Sequence, residues 1–178
     1  VQFHPEVEHT IHGHEVLKNF VTKVCGLRTK KYNISIKPLI QSIKEIVGSE
    51  KVICAVSGGV DSTVAAALIG KAIGENLKAV YIESGLMRLG TKEEVRMIFR
   101  KHLKIQPIIV EAEKLFLSKL KGVTDAEEKR KIIGKLYVDL FDKEAKKLKG
   151  IKFLAQGTIY SDVIESKGSK NADKIKSH

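Results

Sequence analysis

The spacing of apolar residues divides the chain into two parts. Residues 14–25 place apolar side chains at helical spacing, and residues 1–3 resemble the end of a strand. Residues 26–33 are polar and rich in turn formers, which predicts a linker. We therefore expect the end of one α/β domain over residues 1–27 and a second domain over residues 28–178.

Strand-like and helix-like segments alternate in the second part. Four continuous apolar runs are typical of strands buried in a parallel sheet, and they cover residues 51–56, 77–82, 107–110 and 151–155. Helical periodicity predicts helices at 36–47, 61–73, 91–103 and 125–148. Pro38 falls in the first turn of the first of these helices, and Thr91 is expected to cap the third, because Glu94 stands at the capping-box spacing. The alternation predicts an α/β fold, a parallel sheet with helices on both faces.

Composition indicates an ordinary water-exposed protein in a reducing compartment. The chain has 178 residues, of which 43% are hydrophobic, but no apolar run approaches the ~20 residues that span a bilayer. The start lacks both a signal-peptide pattern and an initiator Met, so we expect an internal piece of a longer protein. Two cysteines, Cys25 and Cys54, do not make a disulfide framework. A cytoplasmic location and no membrane partner are the expectation.

The formal net charge of +11 leaves two interpretations open. A lysine-rich solvated surface accounts for most of the charge, and an anionic partner such as nucleotide, pyrophosphate or RNA would use some of it. Aromatic residues make up only 6% and Trp is absent, which disfavours a single-strand RNA binder that works by stacking. A nucleic acid is therefore not the expected partner.

A glycine-rich loop between a buried strand and a helix carries the strongest chemical signal. Its residues are Ser57, Gly58, Gly59, Val60, Asp61, Ser62 and Thr63. Glycines let the backbone approach an anion, and the amides of the following helix start can point at it. Hydroxyl groups add donors to phosphate oxygens. A carboxylate beside phosphate is explained if Asp61 binds Mg²⁺ that bridges the two. No Lys stands where a Walker A loop needs one.

The SGGVDS sequence resembles the PP-loop of ATP pyrophosphatases, which have an adenine nucleotide alpha hydrolase-like fold. The resemblance implies that ATP is cleaved between the α- and β-phosphates, that AMP goes to the substrate, and that pyrophosphate stays in the loop. Several enzyme families share this loop, so it does not identify the substrate by itself.

Three further stretches resemble the glutamine-hydrolysing GMP synthase family. In class I glutamine amidotransferases, a QFHPE segment like that of residues 2–6 supplies the His and Glu of a Cys-His-Glu triad, which implies catalytic roles for His4 and Glu6. The nucleophile of that family lies upstream, and we do not assign its role to Cys25. The segments ESGLMR (83–88) and KRKIIG (129–134) are also similar to GMP synthase, although the family usually has Asp where Glu83 stands.

The last of these stretches, AQGTIYSDVIES (155–166), leads into a polar segment at 166–176. The resemblance implies an active-site lid here, with Asp162, Glu165 and Lys176 as catalytic residues. It also implies that Arg130 binds xanthosine monophosphate (XMP). A surface acidic pair and a solvated basic helix face are the ordinary alternatives for these charges.

The implied reaction uses ATP with Mg²⁺ to adenylylate XMP, after which ammonia from glutamine displaces AMP to give GMP. The resemblance also implies a homodimer formed through a C-terminal domain outside this chain. Two alternatives stay open, a tRNA-modifying PP-loop ATPase, which the charge favours, and a non-catalytic nucleotide-binding remnant.

Overall fold

A computed structural model describes residues 2–28 and 35–158 of the chain. The chain divides into two compact units, Val1–Ser35 and Ile36–His178. The assignment of the first unit to an amidotransferase domain stays a prediction.

The first unit is helical in its second half. Helix α1 spans Gly13–Asn19 and continues into a π-helical turn, Phe20–Val24, in agreement with the predicted helix. Gln2 and Phe3 do not form the expected strand end, and residues 2–12 are turns and bends. A strand needs a neighbour for its backbone hydrogen bonds, and the described part of this unit contains no other strand.

The second unit contains a four-stranded parallel sheet. Its strands are β1 (Lys51–Ala55), β2 (Leu77–Glu83), β3 (Ile108–Glu111) and β4 (Ile151–Ala155), in the order β3-β2-β1-β4. Its helices are α2 (Ile36–Val47), α3 (Val60–Ile73), α4 (Thr91–Ile98), α5 (Glu113–Leu120) and α6 (Ala126–Lys147). All three strand pairings are parallel, which confirms the predicted fold class.

Helices cover both faces of the sheet, because successive strand residues point to opposite sides. On one face, Cys54, Ala79 and Tyr81 pack with residues of α3 and α4, and all three are fully buried. On the other face, Ile53 and Val80 pack with residues of α5 and α6. The two cores hold the helices against the sheet, and the loops that follow β1, β2 and β4 start from the carboxyl ends of those strands.

Two predictions about the helices were wrong in detail. Helix α5 was not predicted, because its eight residues are short for a periodic signal and only Phe116 of them is buried. Thr91 does not cap α4: Gly90 holds the cap position, and the Thr91 hydroxyl donates to the carbonyl of Arg88 at 2.7 Å. Glu94 pairs with Arg88 instead of closing a capping box.

None of the helices within residues 2–28 and 35–158 is both long and apolar enough to cross a membrane.

Candidate functional site

The order in which strands are added to the sheet reverses at β1. The chain leaves β1 toward β2 and β3 on one side, and β4 is added on the other side of β1. Open α/β sheets form a crevice at such a point, outside the carboxyl ends of the two strands. The glycine-rich loop follows β1, and Gln156, Gly157 and Thr158 follow β4. The topology therefore brings these two segments to one edge of the sheet.

The backbone of the loop turns sharply into α3. Val56 still belongs to the sheet, since its N–H donates to the carbonyl of Val80 at 2.9 Å. Gly58 then takes a φ of +82°, and Gly59 is extended and precedes the helix. The N–H groups of Val60, Asp61 and Ser62 have no partner inside the helix, because they belong to its first turn. They form a row of donors at the positive end of the helix dipole, where an anion is stabilised.

Hydroxyl groups hold the loop in this shape. Ser62 is nearly buried and lies at the centre of the network, with its Oγ 3.2 Å from the Ser57 N–H and 3.1 Å from Ser57 Oγ. The Thr63 hydroxyl donates to the Gly59 carbonyl at 2.7 Å. Ser57 and Gly59 are exposed, and the Gly59 N–H donates weakly to Ser57 Oγ at 3.3 Å.

Two glycines allow other elements to approach the loop. A Cβ on Gly58 would lie 2.3 Å from the methyl group of Thr91, so the start of α4 packs directly on the loop. A Cβ on Gly157 would lie 2.7 Å from the backbone nitrogen of Ser62. Gly157 was not predicted as a site residue. The glycine directly after β4 was the available signal, but the chain separates it from its partner by about 95 residues.

Asp61 is exposed in the first turn of α3. Within residues 2–28 and 35–158, the structure contains no group of three or more His, Cys, Asp or Glu residues that could bind a metal by themselves. A single carboxylate beside a phosphate site nevertheless fits Mg²⁺, which commonly takes one or two carboxylates and completes its shell with phosphate oxygens and water. The residues present therefore fit a metal that arrives with the nucleotide.

A pocket of about 190 Å³ adjoins the loop. Its walls combine polar groups of the two glycine segments with apolar residues of the strand ends and α6. They are Ala55, Val56, Ser57, Ser62, Val80, Ile82, Tyr137, Phe141, Gln156 and Gly157. An apolar pocket with a few polar groups at one end is typical of a small-molecule site.

The segment after β2 is tied down by Glu83. Its carboxylate accepts from the Gly85 N–H at 3.0 Å and lies 3.4 Å from the hydroxyl of Tyr81. Burial, together with the Glu83 charge, raises the pKa of Tyr81 to about 12. Glu83 thus holds the turn at the end of β2.

Arg130 lies on the exposed surface of α6 and makes a two-pronged pair with Glu127, with both N···O distances at 2.8 Å. Tyr137 follows about two turns later on the same side of the helix, and its hydroxyl reaches the end of β2. The Arg130 side of α6 therefore lies toward the carboxyl ends of the strands. The binding of XMP by Arg130 stays a prediction.

In the first unit, His4 and Glu6 are close together. Nδ1 of His4 lies 2.8 Å from Oε1 of Glu6, and both side chains are exposed. Hydrogen bonds from its own backbone and from His4 lower the pKa of the Glu6 carboxyl. Of the two cysteines, Cys25 is exposed, whereas Cys54 is fully buried and burial raises its pKa to about 11, the opposite of an activated thiol.

Asp162, Glu165 and Lys176 lie outside the described residues, so the expected lid stays a prediction.

A sequence model of the NAD synthase family matches residues 32–136. Over its whole length the chain is 54% identical to the glutamine-hydrolysing GMP synthase of Elusimicrobium minutum and 52% identical to that of Carboxydothermus hydrogenoformans. In both cases the chain spans 35% of the relative's length. The glycine-rich loop and the segments ESGLMR and KRKIIG thus lie within one alignment to GMP synthases that covers the whole chain.

Solved structures share the fold. The NH3-dependent NAD synthetase of Campylobacter jejuni, in complex with nitrate, matches with a TM-score of 0.59 at 17% identity, over 76% of this chain and 62% of that one. The glutamine-dependent NAD+ synthetase of Acinetobacter baumannii, in complex with ADP, matches with a TM-score of 0.59 at 18% identity, over 78% of this chain and 28% of that one. At such low identities the comparison supports the architecture of the sheet and its helices.

Proposed function

From the premise that this chain belongs to the NAD synthase family, we propose that it is the ATP-pyrophosphatase part of a glutamine-hydrolysing GMP synthase. The observation that carries the proposal is the loop between β1 and α3, with its row of first-turn amides beside an apolar pocket. The identity of the substrate rests on the GMP synthases that match the full chain.

The loop is proposed to hold the β- and γ-phosphates of ATP. The backbone amides of residues 60–62 donate to phosphate oxygens and are arranged before the ligand arrives. The hydroxyls of Ser57 and Thr63 donate as well once they turn from their partners within the loop. Asp61 is proposed to hold Mg²⁺, which when bound neutralises charge on the departing pyrophosphate. The adjoining pocket gives the base of the nucleotide an apolar wall.

The proposed chemistry transfers AMP to XMP. The 2-oxygen of XMP forms a bond to the α-phosphorus of ATP while the bond between the α- and β-phosphates breaks, and pyrophosphate leaves within the loop. Ammonia then attacks carbon 2, and AMP departs with the oxygen. Adenylylation is needed because the 2-oxygen is a poor leaving group until it carries the phosphate.

The remaining predicted residues take their roles from the same proposal. Arg130 binds XMP once it leaves Glu127, and Asp162, Glu165 and Lys176 act in a lid over the nucleotide. His4 and Glu6 belong to the site that releases ammonia from glutamine. The parent protein is proposed to be a cytoplasmic homodimer that dimerises through sequence outside this chain.

The identity of the substrate that accepts AMP can be tested by measuring pyrophosphate release from ATP in the longer protein that contains this chain. XMP should stimulate the release, and bulk tRNA should not. Stimulation by tRNA alone would support instead the tRNA-modifying alternative, which the net charge of +11 favours.

In single-turnover experiments, Asp162→Ala and Lys176→Ala should each slow pyrophosphate release by roughly 10²–10³ at unchanged ATP affinity, if they make contacts in the transition state. Release at the parent rate in both variants would remove the lid residues from the proposal.

A further inference from the structure

A buried hydroxyl pair joins the end of β2 to α6. The side chain of Ser84 is fully buried, and its Oγ lies 2.8 Å from the hydroxyl of Tyr137. The Leu86 N–H also donates weakly to Ser84 Oγ, at 3.3 Å. The Tyr137 hydroxyl donates to Ser84 Oγ, and the two hydroxyls form a defined contact between residues 53 apart in sequence.

Ser84 sits in a turn that has little freedom to move. Glu83 accepts from the Gly85 N–H on one side of it. Gly85 has a φ of +73°, and a Cβ there would lie 2.5 Å from the side chain of Glu113 at the start of α5. The turn is therefore packed against α5 and bonded to its own neighbours, which makes it a firm anchor for the tyrosine.

The ring of Tyr137 forms part of the wall of the pocket beside the phosphate loop. Phe116 packs against the ring from α5, with centroids 4.9 Å apart. Phe116 restrains the ring from one side, but an apolar contact allows sliding and rotation, whereas a hydrogen bond at the ring's tip fixes its direction. The tip of the ring is held by Ser84.

We propose that the Ser84–Tyr137 hydroxyl pair is a positioning device that sets the wall of the pocket for the base of the bound nucleotide. Tyr137 forms the wall, and Ser84 acts through it. The inference deepens the proposed function and rests on it, since it concerns the same nucleotide. It separates two parts of the site: the loop recognises phosphates, and the hydroxyl pair tunes only the recognition of the base.

Calorimetry on the 178-residue chain tests this separation with two probes, Mg-ATP and Mg-pyrophosphate. Tyr137→Phe keeps the ring and removes the bond, and Ser84→Ala removes the acceptor. Each should weaken ATP binding roughly three- to tenfold, the equivalent of one neutral hydrogen bond, and change pyrophosphate binding less than twofold. The double variant should lose no more ATP affinity than the weaker-binding of the two single variants, because both substitutions remove the same hydrogen bond.

Ile105→Val is the matched control for general loss of stability. Ile105 is buried near the start of β2 and β3, at the sheet edge opposite the pocket. The free energy of unfolding of the Ile105→Val variant should fall, while Mg-ATP and Mg-pyrophosphate bind to it as they do to the parent chain. If Ser84→Ala does not fold, Tyr137→Phe and the double variant still give the answer, because neither leaves the tyrosine hydroxyl without a partner.

Each remaining outcome decides against the inference in its own way. Equal losses for ATP and pyrophosphate would make the pair a purely structural contact, and unchanged ATP affinity would show that the bond positions nothing. A parent chain that binds pyrophosphate as tightly as ATP would show that the pocket does not recognise a base, while the phosphate loop stands. Binding of neither probe would overturn this inference and the proposed function together.

Discussion

The phosphate loop and the His4–Glu6 pair were both identified from short motifs, but the surrounding structure supports them to different degrees. The loop is built from a sheet strand and a helix start, and two glycines let α4 and the segment after β4 touch it. The His4–Glu6 contact of 2.8 Å joins two exposed side chains within one turn. The Thr10 hydroxyl donates to the His4 carbonyl at 2.6 Å and adds local support.

The difference indicates which motif can work within this chain alone. A preorganised site needs its groups held by packing and by further hydrogen bonds, and the loop has both. The His4–Glu6 pair orients an imidazole, but both side chains are exposed, so packing does not hold them in place. We therefore expect changes around the loop to have large effects and changes at the pair to have small ones on the second unit.

The largest effect is expected from filling the close contacts of the loop. Gly157→Ala would place a methyl group within 2.7 Å of the Ser62 backbone nitrogen, and backbone cannot give way as a side chain can. Overpacking of this kind typically costs about 1–3 kcal/mol, and because the cost falls on the loop, ATP affinity should fall at least about tenfold. Denaturant unfolding and calorimetry measure the two losses.

Gly134→Ala is the control for this substitution. Gly134 lies inside α6, and the methyl group of an alanine there would meet no atom of another element within 4 Å. The alanine should therefore stabilise the chain by about 0.5–1 kcal/mol and leave ATP binding unchanged. If Gly157→Ala were as harmless as Gly134→Ala, the segment after β4 would not be part of the site.

Sequence patterns predicted the strands and the main helices because those signals are local. Continuous apolar runs predicted all four strands to within a residue at each end. The phosphate loop was predicted from six adjacent residues, 57–62. Contacts between distant segments could not be predicted in this way. Gly157 meets Ser62 because parallel strands bring their carboxyl ends to one edge. Ser84 meets Tyr137 because α6 packs on the face of the sheet beside the end of β2.

An intermediate effect on the free energy of unfolding is expected at alkaline pH, and it should come from Tyr81 in β2. Tyr81 is fully buried, and its pKa is raised from 10.0 to about 12. The unfolded chain therefore loses this proton first, so the stability that Tyr81 contributes is complete below pH 10 and is lost as the pH rises to about 12. Tyr81→Phe should flatten the dependence of unfolding free energy on pH in that window. An equally steep dependence in the variant would assign the effect to other groups.

The smallest effect is expected at the exposed pair. The chain should release no ammonia from glutamine, because Cys54 is buried with a raised pKa and Cys25 is not assigned as nucleophile. His4→Ala should leave both ATP affinity and the unfolding of the second unit unchanged. Glutaminase activity that disappears in Cys25→Ala would show that this chain contains the nucleophile after all.

The role of Asp61 in Mg-ATP binding is the most direct test of the account. The parent chain should bind ATP in the presence of Mg²⁺ and lose most of that affinity when EDTA removes the metal. Asp61→Ala should weaken Mg-ATP binding at least about tenfold, as expected for the loss of a charged ligand, without unfolding the chain. The free energy of unfolding should fall by no more than the roughly 0.3–1 kcal/mol that an acid in the first turn of a helix contributes. Asp139→Ala, at an exposed acid on α6, should bind like the parent. Unchanged Mg-ATP affinity in Asp61→Ala would contradict the assignment of this loop as a metal-dependent ATP site.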